Sequence, residues 1–389
     1  MPIKNRLADM ADEITEWRRH LHAHPELMFD VHETASFVEE KLKAFGVDEV
    51  VTGIGRTGVV GVIKGKSDTS GRVIGLRADM DALPIEETTG LDYASTVPGK
   101  MHACGHDGHT AMLLGAAQYL AETRNFDGTV VLIFQPAEEG GGGGREMVND
   151  GMMDRWNIQE VYGLHNTPGL PVGQFAIRPG ALLASADEFQ IHVKGHGGHA
   201  GAPHEAVDTT LVAAHIVVAL QSVVARNVNP VRRVVVTVGT FETDSNASNV
   251  IADKVTMRGT VRTLDADCRK QAEQRIRRLA EDIASGFGAR AEVDWQEGYP
   301  VTVNHPAETA YAADAARAVA GDVDDNVDPI MPAEDFSYML EARPGAYIFL
   351  GNGDTAMCHH PAYNFSDDAI PAGCSWFAEL VEQRMPSAS

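Results

Sequence analysis

Two adjacent carboxylates, Glu138 and Glu139, stand directly behind an apolar, β-branched run in the sequence TVVLIFQPAEE, residues 129–139. The carboxyl end of a buried strand is where α/β sheets place their chemistry. Like charges this close raise the pKa of one carboxyl group unless a positive charge compensates them, and a metal ion is the natural compensator. One glutamate would then bind metal while the other moves protons, as a metallohydrolase requires. The alternative interpretation is an exposed acidic turn.

A second cluster of metal-binding residue types lies in segment 102–109, which holds three histidines, one cysteine and one aspartate within eight residues. Imidazole and thiolate are the ligands that borderline-soft divalent metals prefer. The Cys104-Gly105-His106 spacing lets a turning backbone aim two side chains at one point, with Gly105 permitting the turn. A helix predicted over 110–120 would favour the thiolate of Cys104 through its N-terminus. A structural cysteine among hydrogen-bonded histidines is the alternative.

Other predicted strands end in the same residue types. Asp79 and Asp81 follow the run 73–78, His165 ends the run 161–165, and Cys358, His359 and His360 follow the run 346–351. Because the carboxyl ends of parallel strands meet at one edge of a sheet, a shared site explains these residues together with the glutamate pair. The joint pattern predicts a metal site at this edge.

The composition argues against several classes of function. The chain has 389 residues, 44% of them hydrophobic and 22% charged, and its formal net charge is −23. An acidic protein without a basic patch is a poor partner for nucleic acid or an anionic membrane, so we expect neither. The N-terminus has charges where a secretory signal needs an apolar centre, and no apolar stretch is expected to span a membrane. With four cysteines in no paired framework, the protein is predicted to be cytoplasmic.

The order of the predicted elements indicates an α/β fold made of two domains. From about residue 72 to 180, apolar runs alternate with helix-like segments, as in a mostly parallel sheet covered on both faces. From 184 to 297 the order becomes βαββαβ, the split-βαβ unit of ferredoxin-like folds. We therefore predict a catalytic metal-binding domain from residues 1–183 and 298–389, interrupted by an inserted dimerisation or lid domain at 184–297.

Six segments of the chain together resemble the metal-dependent amidohydrolases that include hippurate hydrolase, bacterial N-acyl-amino-acid deacylases and plant auxin-conjugate hydrolases. These segments are 17–27, 77–84, 102–109, 135–139, 163–166 and 195–200. The similarity spans nearly the whole chain in the same order. It implies a zinc-peptidase-like catalytic domain with an inserted ferredoxin-like dimerisation domain. It also implies cleavage of hippurate-like or N-acetyl amino acids to a carboxylic acid and a free amino acid.

The same resemblance implies a metal-ligand set and two divalent ions, with Cys104 as the bridge. The ligands would be Cys104, His106, Glu139, His165 and His359. Glu138 becomes the general base and acid, and Asp81 the carboxylate that orients a ligand. The family usually has Ser-Pro or Asn-Pro after the last histidine, but here His360 precedes the proline, so it remains an alternative ligand. Asp79 stands where related peptidases have a histidine ligand, so its role stays open. Zinc suits these ligands, but manganese, cobalt or nickel could also bind.

Substrate contacts are implied for the inserted domain. His199 matches a histidine that, in related dimers, reaches into the partner's site and supports the carbonyl oxygen, and Asn249 matches a substrate-contacting asparagine. The residue types alone favour a loop histidine and an Asx turn. The predicted partners are a small-molecule N-acyl amino acid and further copies of this chain, in a homodimer or higher homo-oligomer.

Two features are assigned no site. His20, His22 and His24 alternate like a metal clip, but the amphipathic helix before them and Pro25 indicate a capped helix end on the surface. The glycines 140–144 lack the Lys-Ser/Thr ending of a phosphate loop and are expected to let backbone pass close to metal or substrate. Two other functions stay open: a metallo-dipeptidase or carboxypeptidase on the same scaffold, and a catalytically silent metal-binding dimer.

Overall fold

The computed structural model describes residues 4–387 and divides the chain into two compact units. The first unit contains the chain up to residue 182, residues 303–328 and the chain from 335 onwards. The second unit contains residues 183–302 and 329–334, so the insert predicted at 184–297 falls within it. The chain thus leaves the first unit in mid-sequence and returns to it.

The helices and strands of both units are numbered in chain order. The helices are α1 (Asn5–Asp9), α2 (Ala11–Ala23), α3 (His32–Ala44), α4 (His106–Thr123), α5 (Gly143–Asn149), α6 (Met152–Arg155), α7 (Thr209–Ser222), α8 (Ala266–Gly286), α9 (Pro306–Ala320), α10 (Ser337–Ala342) and α11 (Ile370–Arg384). The strands are β1 (Glu49–Ile54), β2 (Gly58–Lys64), β3 (Val73–Asp79), β4 (Thr129–Gln135), β5 (Glu160–Pro168), β6 (Phe175–Ala176), β7 (Gly180–Leu183), β8 (Ser185–Lys194), β9 (Gly198–His199), β10 (Val234–Thr243), β11 (Val250–Ile251), β12 (Lys254–Thr263), β13 (Arg290–Glu297), β14 (Thr302–Asn304), β15 (Val323–Asp324) and β16 (Gly345–Gly353).

The first unit is built on an eight-stranded sheet of order β1-β2-β4-β3-β5-β16-β6-β15. Its four adjacent strands β4, β3, β5 and β16 are parallel, and β2 and β6 flank them in the antiparallel direction. All of β3 and nearly all of β4 are buried, because continuous apolar runs can be covered on both faces. The core joins Leu76 of β3 and Leu132 of β4 to Leu113 of α4 and Trp376 of α11.

The second unit is an antiparallel sheet of order β10-β12-β8-β13 with two helices in the sequence order β8-α7-β10-β12-α8-β13. This is the predicted βαββαβ arrangement of a ferredoxin-like fold. Along most of β8, buried residues alternate with partly or fully exposed ones, as expected where only one face of a sheet is covered. Ile191 of β8, Ile216 of α7 and Ile276 of α8 share one hydrophobic core.

One helical segment of the second unit, Thr209–Asn227, is long and apolar enough to cross a membrane by length and composition, with a mean hydropathy of 1.5. We expected no such segment. Its buried side chains, among them Val212 and Leu220, lie in the core of the second unit. A helix that covers a sheet needs an apolar face of this kind, so its composition has an ordinary structural explanation.

The carboxyl ends of the parallel strands in the first unit lie at one edge of the sheet. β3 ends at Asp79 and β4 at Gln135, so the two acidic segments leave the sheet on the same side. The predicted strand end at His165 is wrong, because β5 continues to Pro168. Asn166 and Thr167 remain in the sheet since they pair with β16.

Candidate metal centre

Asp81 holds the two glutamates in place. Its Oδ1 accepts the backbone N–H of Glu138 at 3.0 Å, and its Oδ2 accepts that of Glu139 at 3.1 Å. The preceding turn is fixed from another side, because the N–H of Ala137, which has a φ of +53°, donates to the backbone oxygen of Met28 at 3.0 Å. Asp81 is fully buried, and with both oxygens engaged it orients the pair rather than offering a free ligand atom.

The structure brings together the five predicted ligands, which come from the start of α4, the segment after β4, strand β5 and the segment after β16. Within each of three groups, the ligand atoms lie within 4.8 Å of one another: Cys104, His106 and His165; Cys104, Glu139 and His359; His106, Glu138 and Glu139. The groups share members, so the five predicted ligands and Glu138 form one cluster. Cys104, His106 and Glu139 each belong to two of these three groups and so connect them.

The charges in this cluster fit a divalent cation. Nε2 of His106 is buried with no hydrogen-bond partner among residues 4–387, and it faces Oε2 of Glu138 and Oε1 of Glu139, each at 4.0 Å. Burial alone would lower the pKa of His106, but Asp79, Asp81 and Glu139 raise it to about 10. A buried imidazole nitrogen without a hydrogen-bond partner, surrounded by carboxylates, is typical of a metal ligand. A bound cation would coordinate the nitrogen and balance the negative charge of the carboxylates.

Cys104 experiences the same excess of negative charge. A hydrogen bond with Cys358, burial and the carboxylates of Glu139 and Glu138 hold the pKa of the Cys104 thiol well above its usual value. In the absence of a metal ion, these contacts act in the direction opposite to the thiolate stabilisation predicted from the N-terminus of α4. A divalent cation reverses this balance, since a coordinating thiol is deprotonated.

The backbone around Cys104 is oriented by a hydrogen bond from Asn166 and by a tight turn at Gly105. Its backbone oxygen accepts a hydrogen bond from Nδ2 of Asn166 at 2.6 Å, and Oδ1 of Asn166 accepts one from the Tyr363 hydroxyl at 2.7 Å. Gly105 lies against both groups with a φ of +92°, and a Cβ there would come within 2.3 Å of Nδ2 of Asn166. Only glycine meets both requirements, so the predicted turn at Gly105 is confirmed.

His109 and Asp79 form a further group with His106 that could hold a metal ion, but both have hydrogen-bond partners within the protein. Nδ1 of His109 donates to Oδ1 of Asp79 at 2.6 Å, and Nε2 accepts the backbone N–H of Asn166 at 3.0 Å. Burial alone would raise the pKa of Asp79, but the charges of His106, Arg77 and His109 hold it well below its usual range. Both nitrogens of His109 are used, so this imidazole links β3 to β5 beneath the ligands.

The Arg77 network was missed by the sequence interpretation. The buried guanidinium donates to Asp79 at 2.6 Å, to Gln135 at 2.9 Å and to Asp335 at 3.0 Å. Oδ2 of Asp335 in turn accepts the backbone N–H of Gly144 at 2.8 Å. An arginine inside an apolar strand was the available signal, because a buried guanidinium requires acidic partners.

Gly143 and Gly144 of the glycine run 140–144 allow close internal packing. A Cβ on Gly143 would meet the backbone oxygen of Pro136 at 1.7 Å, and one on Gly144 would meet that of Asp335 at 2.8 Å. These glycines let the first turn of α5 pack on the backbone just before the glutamate pair.

The two C-terminal histidines have different surroundings. Nε2 of His359 lies 3.4 Å from Oε1 of Glu139, and its backbone, at a φ of +67°, donates to the oxygen of Ala103 at 2.7 Å. Nδ1 of His360 accepts the N–H of Ala362 at 3.0 Å. The hydrogen bond with Glu139 raises the pKa of His359. His359 is thus the member of the pair that joins the ligand cluster.

His199 and Asn249 lie in the second unit, next to each other. His199 of β9 pairs with Val250 of β11, and the N–H of Ala200 donates to the backbone oxygen of Asn249 at 3.0 Å. Both side chains are exposed. The structure therefore places these two residues next to each other at a small two-stranded sheet of the second unit.

The fold and the site define a metal-dependent hydrolase: nitrogen, sulfur and oxygen ligands meet at the carboxyl edge of a mostly parallel sheet, beside one further carboxylate. Residues 75–383 match the family described as peptidase family M20/M25/M40. The chain belongs to this family and is a hydrolase that binds divalent metal.

Known relatives match over almost the entire chain. Hippurate hydrolase of Campylobacter jejuni is 42% identical over 378 residues, which cover 96% of this chain and 97% of that protein. N-acetyl-L-cysteine deacetylase of Bacillus subtilis is 43% identical over 382 residues, covering 98% and 90%. Among solved structures, the Bacillus subtilis YXEP protein, a dinuclear metal binding peptidase from the M20 family, gives a TM-score of 0.85 at 35% identity, over 97% of this chain and 99% of that one.

Proposed function

We propose that this protein hydrolyses the amide bond of N-acyl amino acids, such as hippurate or N-acetyl amino acids, to a carboxylic acid and a free amino acid. The observation that carries the proposal is the position of Glu138. It lies in the ligand cluster beside Glu139, and both backbone N–H groups are tied to Asp81. The names of the relatives, an amide-cleaving hippurate hydrolase and an N-acetylcysteine deacetylase, support the same substrate class.

Cys104, His106, Glu139, His165 and His359 would hold two divalent ions. When bound, such ions lower the pKa of a water from about 15.7 towards about 7 and polarise a carbonyl group. Zinc suits the thiolate and imidazole ligands best, while manganese, cobalt and nickel are the other candidates.

The two glutamates have different proposed roles: Glu139 binds metal and Glu138 transfers protons. Glu139 belongs to both the His359 group and the His106 group, which favours it over Glu138 as the metal ligand. Within the cluster of predicted ligands, Glu138 shares a group with His106 and Glu139 but with neither Cys104 nor His359, which favours it as the group that accepts a proton from water and returns it to the leaving nitrogen of the amide. Asp81 fixes the position of Glu138 for both proton transfers.

His199 is proposed as the donor to the carbonyl oxygen as that oxygen becomes anionic. Nδ1 of His199 accepts the N–H of Gly201 at 2.9 Å, so in the neutral ring the proton is on Nε2, which is then a donor. One well-placed donor of this kind can be worth about 100- to 1,000-fold in rate. Asn249, on the neighbouring strand segment, is the proposed substrate contact.

We also propose a cytoplasmic homodimer, or a higher homo-oligomer, formed through the second unit. β10 is an edge strand whose Phe241 is 41% exposed, and on α7 Val218 is 72% exposed. An unpaired edge beside exposed apolar residues is a surface that a second copy of this chain would cover. The four cysteines are free thiols, as in a reducing compartment. Val218→Glu should shift sedimentation towards the monomer, whereas Val172→Glu on the first unit should not.

The adjacent glutamates supply the decisive experiment for the activity. Glu138→Gln should lower release of amino acid from hippurate and N-acetyl amino acids by about 10²- to 10⁴-fold, with the bound metal retained in elemental analysis. Glu139→Gln should lose metal and activity together. If Glu138→Gln kept near wild-type turnover, the assignment of the base would be wrong.

A metallo-dipeptidase or carboxypeptidase is the second candidate, because the family is described as a peptidase family and the YXEP protein as a peptidase. Turnover of unblocked dipeptides above that of acylated amino acids would favour it. Bound metal without turnover of either substrate class would favour a catalytically silent dimer.

A further inference from the structure

His22 of α2 is buried although it lies between two exposed histidines. His20 and His24 are exposed, whereas His22 has no exposed surface. The prediction that this alternating trio lies on the surface is therefore wrong for its central member. Helical geometry explains the difference, because His22 shares a helix face with Arg18, four residues earlier, and Arg18 is also completely buried.

His22 donates in two directions to carboxylates. Its Nδ1 lies 2.9 Å from Oδ2 of Asp107, and its Nε2 lies 3.3 Å from Oε1 of Glu87. An ionised carboxylate only accepts hydrogen bonds, so both ring nitrogens serve as donors. These two hydrogen bonds fix the orientation of the imidazole, which in turn holds the carboxylate of Asp107.

Arg18 approaches Asp107 from the same helix face. Its Nη1 lies 3.6 Å from Oδ2 of Asp107, while its Nε donates to Asp367 at 2.8 Å and its Nη2 lies 2.5 Å from the same carboxylate. The Tyr93 ring covers the guanidinium at 4.5 Å. Asp107 is thus held between two buried cationic side chains of α2.

Asp107 matters because of its neighbours in sequence. It directly follows His106 in the first turn of α4 and stands three residues after Cys104. The same segment is also held by Asn166, which donates to the backbone oxygen of Cys104. Contacts at both Cys104 and Asp107 therefore fix the short segment that carries two of the proposed ligands.

We propose that Arg18 and His22 are positioning residues that, through Asp107, fix the first turn of α4 and hold Cys104 and His106 at the spacing that binds metal. The inference rests on the proposed ligand set. It extends the metal centre to a helix that contributes no ligand. Partners behind the ligands typically change metal affinity or activity by about 10- to 100-fold.

Metal affinity measured by competition with a chromophoric chelator, on apoprotein titrated with Zn²⁺, provides the test. His22→Gln keeps a polar side chain but cannot donate to both carboxylates. We expect its Zn²⁺ affinity to fall by about 10- to 100-fold, with a lower kcat and an unchanged KM for the N-acyl amino acid. His20→Gln, on the exposed side of the same helix, should retain wild-type affinity and kinetics.

Arg18→Lys is the second variant, since it keeps the charge and loses the fork that spans Asp367 and Asp107. Circular dichroism establishes that each variant is folded before the titration. Weaker Zn²⁺ binding in a folded variant supports the proposal. Wild-type affinity in the folded variants overturns it, and so does failure of both variants to fold, because the two residues would then only maintain the fold. A wild-type protein that binds no metal would instead refute the proposed function itself.

Discussion

Replacing Asp81 by asparagine tests how the turn that carries Glu138 and Glu139 is held. The substitution keeps the shape of the side chain and exchanges one carboxylate oxygen for an NH₂ group. In the structure, the two oxygens accept the N–H groups of Glu138 and Glu139 at 3.0 and 3.1 Å. One of these N–H groups would therefore lose its acceptor and face another donor in a buried place.

The expected change in the free energy of unfolding combines a loss of hydrogen bonding with the relief of a buried charge. Losing a hydrogen bond to a charged acceptor costs about 1.5–3 kcal/mol, and leaving a buried N–H without a partner costs about 1–3 kcal/mol. Burial raises the pKa of Asp81, so its charge is itself costly there, and the neutral amide recovers part of the loss. We therefore expect a net decrease of about 2–3 kcal/mol in the free energy of unfolding, near the lower end of that sum. Because His106 also contacts this carboxylate, at 3.4 Å, kcat should fall by about 10- to 100-fold.

Three measurements on Asp81→Asn check this reasoning: urea unfolding, metal content by elemental analysis and kcat on hippurate or N-acetyl amino acids. Asp68→Asn, on an exposed loop, is the control and should match wild type in all three. Wild-type kcat together with unchanged stability in Asp81→Asn would refute the reasoning. The contact of Ala137 with Met28 would then suffice to hold the turn.

Three further outcomes are expected. Gly105→Ala combines a φ of +92° with a Cβ within 2.3 Å of Asn166, so urea unfolding should show a loss of about 2–5 kcal/mol, and full stability would contradict the close fit. Burial lowers the pKa of His22, but Asp107 and Glu87 raise it to about 9, above the ordinary 6.5. Its stabilisation is therefore complete below about pH 6.5 and lost as pH rises through about 9, so the stability difference between wild type and His22→Gln should shrink over that interval. Chelation should lower the melting temperature, since metal at 100 times its Kd contributes about 2.7 kcal/mol, and metal restoration should reverse the effect.

The place of the metal site in the fold could be predicted because two regularities of α/β folds act together, whereas the individual ligands were implied by the family resemblance. Apolar runs such as Val73–Asp79 and Thr129–Gln135 identify buried parallel strands, and parallel strands present their carboxyl ends at one edge. Residues distant in sequence, such as Cys104 and His359, therefore meet without any local signal between them. The ferredoxin-like insert could also be predicted, because its βαββαβ order of strands and helices is the signature of that fold.

The supporting contacts could not be predicted in the same way. Asp81 accepts two backbone N–H groups, and backbone groups carry no sequence signal. The burial of His22 depends on the packing of α2 against α4, while its pattern with His20 and His24 indicates only a helix end. The extent of β5 beyond His165 depends on pairing with β16, which lies almost two hundred residues later.

The position of β16 has a consequence for how the chain is made. This strand lies between β5 and β6 in the sheet, yet it is the last strand in the sequence. All four sheet strands of the second unit are complete by Glu297, whereas β16 ends at Gly353. At about 5–20 residues per second, the ribosome needs roughly 3–11 seconds to cover that interval. During this time the nascent first unit carries an unpaired edge at β5, so ribosome stalling or truncation before residue 345 should promote aggregation although the insert has its own core.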